Sequence, residues 1–80
     1  MKIIIALTSG FVFIGEDVTH PAHTSSRVYL KDASCIRRWG TTQGLGQIAL
    51  SGPTKDTVLD PVGDMSAPYS SEIFRIECRA

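Results

Sequence analysis

Residues Trp39-Gly40-Thr41-Thr42-Gln43-Gly44-Leu45-Gly46 set the chain's one Trp beside two threonine hydroxyls and three glycines, and Arg37 and Arg38 precede them directly. A guanidinium pairs with phosphate or carboxylate through two parallel hydrogen bonds. An indole stacks on a base or fills an apolar pocket. With Thr41 or Thr42 as its cap, a helix from about Gln43 to Leu50 turns the N–H groups of Gln43, Gly44 and Leu45 toward one anion. The glycines let a ligand approach the backbone closely. The expected ligand-binding set is therefore Arg37, Arg38, Trp39, Thr41, Thr42, Gln43, Gly44 and Gly46. On a strand the two arginines point to opposite faces, so one of them lines a given site. The pattern is neither a Walker loop nor a dinucleotide fingerprint. It also reads as a tight turn into a helix whose glycines serve packing.

Other reactive residues are scattered. His20-Pro21-Ala22-His23 offers two imidazoles, with Asp17 as a possible third ligand, which falls short of a zinc set. Asp56, Asp60 and Asp64 are carboxylates without the paired environments that a hydrolase needs. No nucleophile elbow, His-Glu-x-x-His or Cys/His signature occurs. The expectation is a protein that binds and does not catalyse, without metal or cofactor. Cys35 and Cys78 are read as two small buried thiols, since no disulfide framework or C-x-x-C pair is present. Arg27, Tyr29 and Lys31 share one strand face, and with Arg75 they would make a basic stripe suited to a nucleic-acid strand.

These residues need elements to hold them. Lys2–Leu7 and Phe11–Ile14 are β-branched or aromatic runs around Thr8-Ser9-Gly10, which predicts a hairpin. Both runs are apolar on both faces and belong at the centre of a sheet or under an interface. Glu16-Asp17 reads as a return to solvent, and Val18–Ser26 as a loop. Arg27–Lys31 and Cys35–Trp39 read as strands joined by a turn or bulge at Asp32-Ala33-Ser34. Gly52-Pro53 stops the helix. Thr57–Leu59 reads as a short strand closed by Asp60-Pro61, and Val62–Ser71 as a loop. Ile73–Cys78 alternates, with Phe74, Ile76 and Cys78 inward and Arg75 and Glu77 outward. The predicted fold is mainly β: a small antiparallel SH3-like or OB-like barrel of five or six short strands with one short helix.

Eighty residues make one domain, spanning 1–80. A chain of this length buries only roughly 60–65% of its unfolded surface, and oligomerisation is a common remedy. Eight basic and eight acidic residues give a net charge of zero, where a nonspecific nucleic-acid binder shows a basic excess. Lys2 and the apolar run after it resemble the start of a signal peptide. Thr8-Ser9-Gly10 interrupts that run, and Phe13 before Gly15 fits a cleavage site badly. No run reaches the roughly 18–20 apolar residues of a membrane helix.

The strings Ala33-Ser34-Cys35-Ile36-Arg37-Arg38-Trp39-Gly40-Thr41-Thr42, Gly44-Leu45-Gly46, Gly52-Pro53-Thr54 and Thr57-Val58-Leu59-Asp60-Pro61 resemble a family of small uncharacterised bacteriophage and prophage proteins. The resemblance covers the central half of the chain and implies a setting, not a mechanism. In that setting the expectation is a cytoplasmic, oligomeric counter-defence factor. It would sequester a nucleotide-like signal or block a host defence protein. The alternatives are a nucleic-acid-binding barrel and an interaction module of a phage particle.

Overall fold

The computed structural model describes residues 1–19 and 27–80. The His20/His23 pair lies outside the described residues. Five antiparallel strands form one sheet: β1 (Lys2–Leu7), β2 (Val12–Asp17), β3 (Arg27–Arg38), β4 (Val58–Pro68) and β5 (Glu72–Glu77). One helix, α1 (Leu45–Ser51), joins β3 to β4, and a 3₁₀ turn, Tyr69–Ser71, joins β4 to β5. The spatial order is β4-β3-β2-β1-β5, a meander whose last strand returns beside the first. The fold is mainly β, as the strand pattern predicts. Among the described residues no ladder joins β4 to β5, so the sheet is not hydrogen-bonded into a closed barrel.

β1 takes the central place that its two-sided apolarity requires. It lies between β2 and β5, with Ile3, Ile4 and Ile5 at most 2% exposed. The hairpin turn closes through Leu7 N–H to Phe11 O at 3.0 Å and Gly10 N–H to Leu7 O at 2.9 Å. Alternate β1 residues feed two cores. Ile4 joins Ile14, Ile36, Leu45, Ile48 and Ala49 under the helix. Ile3, Ile5 and Leu7 join Val28, Leu30, Ala33 and Ala67 on the other face.

Among the described residues that second face has no helix above it, so the sheet must curl to bury it. The curl comes from β3. Pairing runs Glu16↔Lys31 and then Ile14↔Ser34, which inserts one extra residue into β3. Asp32 sits there at φ 50°, and its N–H donates to Asp64 Oδ1 at 3.2 Å. Gly15 lies opposite, where an added Cβ would stand 3.1 Å from both Ala33 Cα and Ala33 Cβ. The bulge at 32–34 therefore bends one long strand and does not divide two.

Three other expectations need correction. β2 continues through Glu16 and Asp17, because Glu16 stands between Lys2 and Lys31 on the neighbouring strands. β4 runs from Val58 through Pro61 and Pro68, where a strand end and a loop are expected. It is an edge strand, and an edge tolerates residues with no N–H to donate. Phe74 shares the face of Ile76 and Cys78 but is 45% exposed, beyond the cover of the short helix.

Candidate functional site

The segment Trp39–Gly46 leaves β3 and enters α1. Two threonines from the next turn pin its start: Thr57 Oγ1 donates to Trp39 O and Thr54 Oγ1 donates to Gly40 O, each at 2.6 Å. Gly40 has φ +63°, and an added Cβ would fall 2.3 Å from the Asp56 carbonyl carbon. Glycine is required there by the fold.

The helix begins later than the spacing predicts. Its N-cap is Gly44, with φ 80° and no side-chain cap bond. Thr41 Oγ1 instead donates to Gly44 O at 3.1 Å. The Gln47 side chain folds back, and its Oε1 accepts from Thr42 N–H at 3.2 Å, Thr42 Oγ1–H at 3.1 Å and Gln43 N–H at 3.0 Å. This is half of a capping box: the Gln at the third helical position reaches back to donors before the helix, but the N-cap is a glycine and returns no side-chain bond. The carboxamide oxygen thus takes one of the three N–H groups assigned above to an anion, that of Gln43, together with the Thr42 N–H and hydroxyl. Neither Thr41 nor Thr42 caps the helix, which corrects the expected cap.

Arg37 and Arg38 are both exposed at the end of β3. Arg37 Nε donates to Asp60 Oδ2 at 2.8 Å, a surface ion pair worth about 0–1 kcal/mol. Arg38 has no ion-pair partner among the described residues. Trp39 is 46% exposed, and an added Cβ on Gly44 would lie 3.7 Å from its ring. Gly46 differs from Gly40: an added Cβ there would meet nothing within 4 Å, and its φ is not positive. The structure therefore brings Trp39, Thr41, Thr42, Gln43 and Gly44 together in one segment, held mostly by Gln47, Thr54 and Thr57.

Three grooves lie elsewhere. One of 490 Å³ at the helix end has Lys2, Glu16, Lys31 and Asp32 on its walls, so its charges alternate in sign. One of 460 Å³ runs along Tyr29, Lys31, Asp64 and Met65. One of 310 Å³ lies between Phe11, Cys35, Arg37 and Asp60. Of the expected ligand residues, only Arg37 lines any of the three.

The remaining reactive groups are apart. Asp60 is held by Arg37, and Asp64 accepts from the Asp32 N–H. Among the described residues no three His, Cys, Asp or Glu side chains cluster. Arg27 Nε donates to Ser66 Oγ at 3.1 Å, and Arg75 is held by Glu72 and Asp17, so carboxylates interrupt the basic stripe. Cys35 and Cys78 are unbridged and half-buried. Burial pushes the Cys78 thiol above its ordinary pKa, and Lys2 pulls it the other way.

Gln47, Thr54 and Thr57 are the working residues that the sequence reading leaves out. Gln47 falls at the third helical position only once the helix is seen to start at Leu45, two residues later than the spacing predicts. Thr54 and Thr57 act across a gap that only the folded turn closes. No helix among the described residues is long and apolar enough to cross a membrane. Compared with known proteins, the chain matches no family model, no curated protein and no solved structure.

Proposed function

We propose that this chain is a non-enzymatic binding protein that covers part of another protein's surface, with Trp39, Arg38 and the start of α1 at the contact. The observation that carries this reading is an exposed indole in the same Trp39–Gly46 segment as a glycine, Gly46, that the fold does not need. Trp39 is 46% exposed, and Gly46 has open space where a Cβ would go. A helical glycine costs about 0.5–1 kcal/mol relative to alanine. Neither feature helps the isolated chain to fold, and both suit a partner that approaches the backbone closely. Trp and Arg are the residue types most enriched at interface hot spots.

Nucleotide sequestration is the weaker version, because Gln47 engages the Thr42 and Gln43 N–H groups and the Thr42 hydroxyl, and Gly44 O engages the Thr41 hydroxyl. A net charge of zero argues against a nonspecific nucleic-acid contact. The resemblance to phage and prophage proteins makes a host defence protein the first candidate partner and the bacterial cytoplasm the place of action.

Immobilised protein in bacterial host lysate tests the reading. The wild type should retain a stoichiometric partner. Trp39→Ala should weaken that capture by at least about 30-fold, the effect of a hot spot worth roughly 2 kcal/mol. Gly46→Ala should weaken it too while raising the melting temperature. A partner retained equally by all three proteins, or none retained by the wild type, rejects the reading.

A further inference from the structure

The two outer strands of the sheet are built differently. β4 carries Pro61, Pro68, Asp60, Asp64 and a left-handed Gly63, and its pairing with β3 shifts register. Prolines and bulges of this kind prevent an edge from pairing with another chain. β5 is Glu72-Ile73-Phe74-Arg75-Ile76-Glu77, with no proline or glycine.

The free part of the β5 edge can be delimited. Cys78 N–H donates to Lys2 O at 2.9 Å, which makes Lys2/Cys78 a hydrogen-bonded pair. Such pairs alternate along an antiparallel ladder, so Ile76 and Phe74 also turn their backbone groups toward β1. Arg75 and Glu77 turn theirs outward. The regular run ends at Ile73, where the register shifts between Ala6 and Leu7. At the other end Arg79 N–H donates to Ala49 O at 2.7 Å, drawing the chain onto α1. Phe74–Cys78 is thus the regular outer edge, and Ile76 is its centre.

We propose that this edge pairs antiparallel with the same edge of a second copy, about a twofold axis at Ile76. That register is self-complementary. Arg75 of each copy stands opposite Glu77 of the other, and these two outward-turned residues exchange both backbone hydrogen bonds. Opposite charges directly across a ladder stabilise it. On the helix face, Ile76 meets its own copy, and Phe74, 45% exposed in one chain, is set opposite Cys78. Glu77 has no ion-pair partner among the described residues of a single chain. A twofold contact presents one patch to itself, as the commonest homodimers do. It supplies cover that a domain of this size lacks. The Trp39 contact proposed above is a different surface, so the two proposals stand or fall separately.

Sedimentation of the whole chain up to millimolar concentration should show a monomer–dimer equilibrium. Glu77→Pro removes an outward N–H while leaving the bonds to β1, and should give monomer with an unchanged circular dichroism spectrum. Phe74→Cys should cross-link to Cys78 of the second copy on mild oxidation. A non-hydrogen-bonded pair has Cα atoms about 4.5 Å apart, within the disulfide range. The cross-link should vanish when Cys78→Ser is added. A wild type that is monomeric throughout overturns the proposal. So does a dimer that survives Glu77→Pro and does not cross-link. Should Glu77→Pro fail to fold, the presence or absence of the cross-link decides alone.

Discussion

At Gly40 the backbone is left-handed and a side chain would collide with the Asp56 carbonyl. Gly40→Ala combines φ strain with a backbone clash, and should cost about 3 kcal/mol. Urea unfolding of the variant at neutral pH measures this; a loss below about 1 kcal/mol would mean that the 39–42 and 54–57 segments part easily. Cys78 gives a second test at this scale. Burial raises its pKa in the folded chain above the unfolded value, so folding favours the protonated thiol. The stability from this group is fully present below the unfolded thiol's pKa, near 8.5, and is lost as pH rises through the folded pKa. Unfolding free energy should therefore fall on the alkaline side, and Cys78→Val should flatten that fall. Equal slopes for the two proteins would remove Cys78 as a source.

Helix α1 is a single short element whose start depends on one carboxamide. Gln47→Ala strands the N–H groups of Thr42 and Gln43 and should cost about 1 kcal/mol. Gln47→Glu keeps an acceptor and adds a negative charge near the helix N-terminus, so it should equal or exceed the wild type. Thermal melts of the three proteins decide this, and identical melting temperatures would show that water serves the loop as well as Gln47 does. The same element shows what the sequence reveals and conceals. The hairpin β1–β2, the helix and β5 follow from local pattern: β-branched runs, a Gly-Pro stop and strict alternation. The Thr cap fails because the helix starts after a left-handed Gly44, with the Thr42 hydroxyl drawn to Gln47 and the Thr41 hydroxyl to Gly44 O. The length of β4 is concealed by Pro61, Gly63 and Pro68, which read as loop in isolation and are tolerated because that strand has one neighbour. The candidate site was legible as a place, Trp39–Gly46, but not as a chemistry. Its hydroxyls turn to Gly44 O and the Gln47 side chain, and its first two carbonyls are held by Thr54 and Thr57 from a turn fourteen and eighteen residues away.

Over the whole molecule the sheet serves as both layers of its own core. The helix covers one face, and the bulged β3 bends the other face closed. The seam between β4 and β5 has no ladder among the described residues; the Tyr69–Ser71 turn links the two strands along the chain, and β5 is tied instead to the β1–β2 side. Ser71 O accepts from Thr8 N–H at 2.7 Å. Arg75 binds Glu72 through two nitrogens and reaches Asp17 at 3.4 Å, joining β5 to the end of β2. The charged contacts at Glu72 do most to hold the Arg75 guanidinium protonated, above its ordinary pKa. Such an architecture should not loosen evenly. β1 has a strand on each side and a core on each face, whereas β4 is paired on one side and largely exposed from Pro61 to Asp64. Opening at β4 breaks one ladder; opening at β1 breaks two ladders and both cores, which amounts to global unfolding. Amides of Ile4 and Ile5 should therefore exchange last, at the rate set by the global free energy, and those of Val62–Asp64 first. Ile5→Val, which removes one methylene from the face without a helix, should lower that global limit by about 1 kcal/mol and leave β4 exchange unchanged. If β1 amides exchanged as early as those of β4, the curled sheet would not be one cooperative unit, and the second core would have to open without the first.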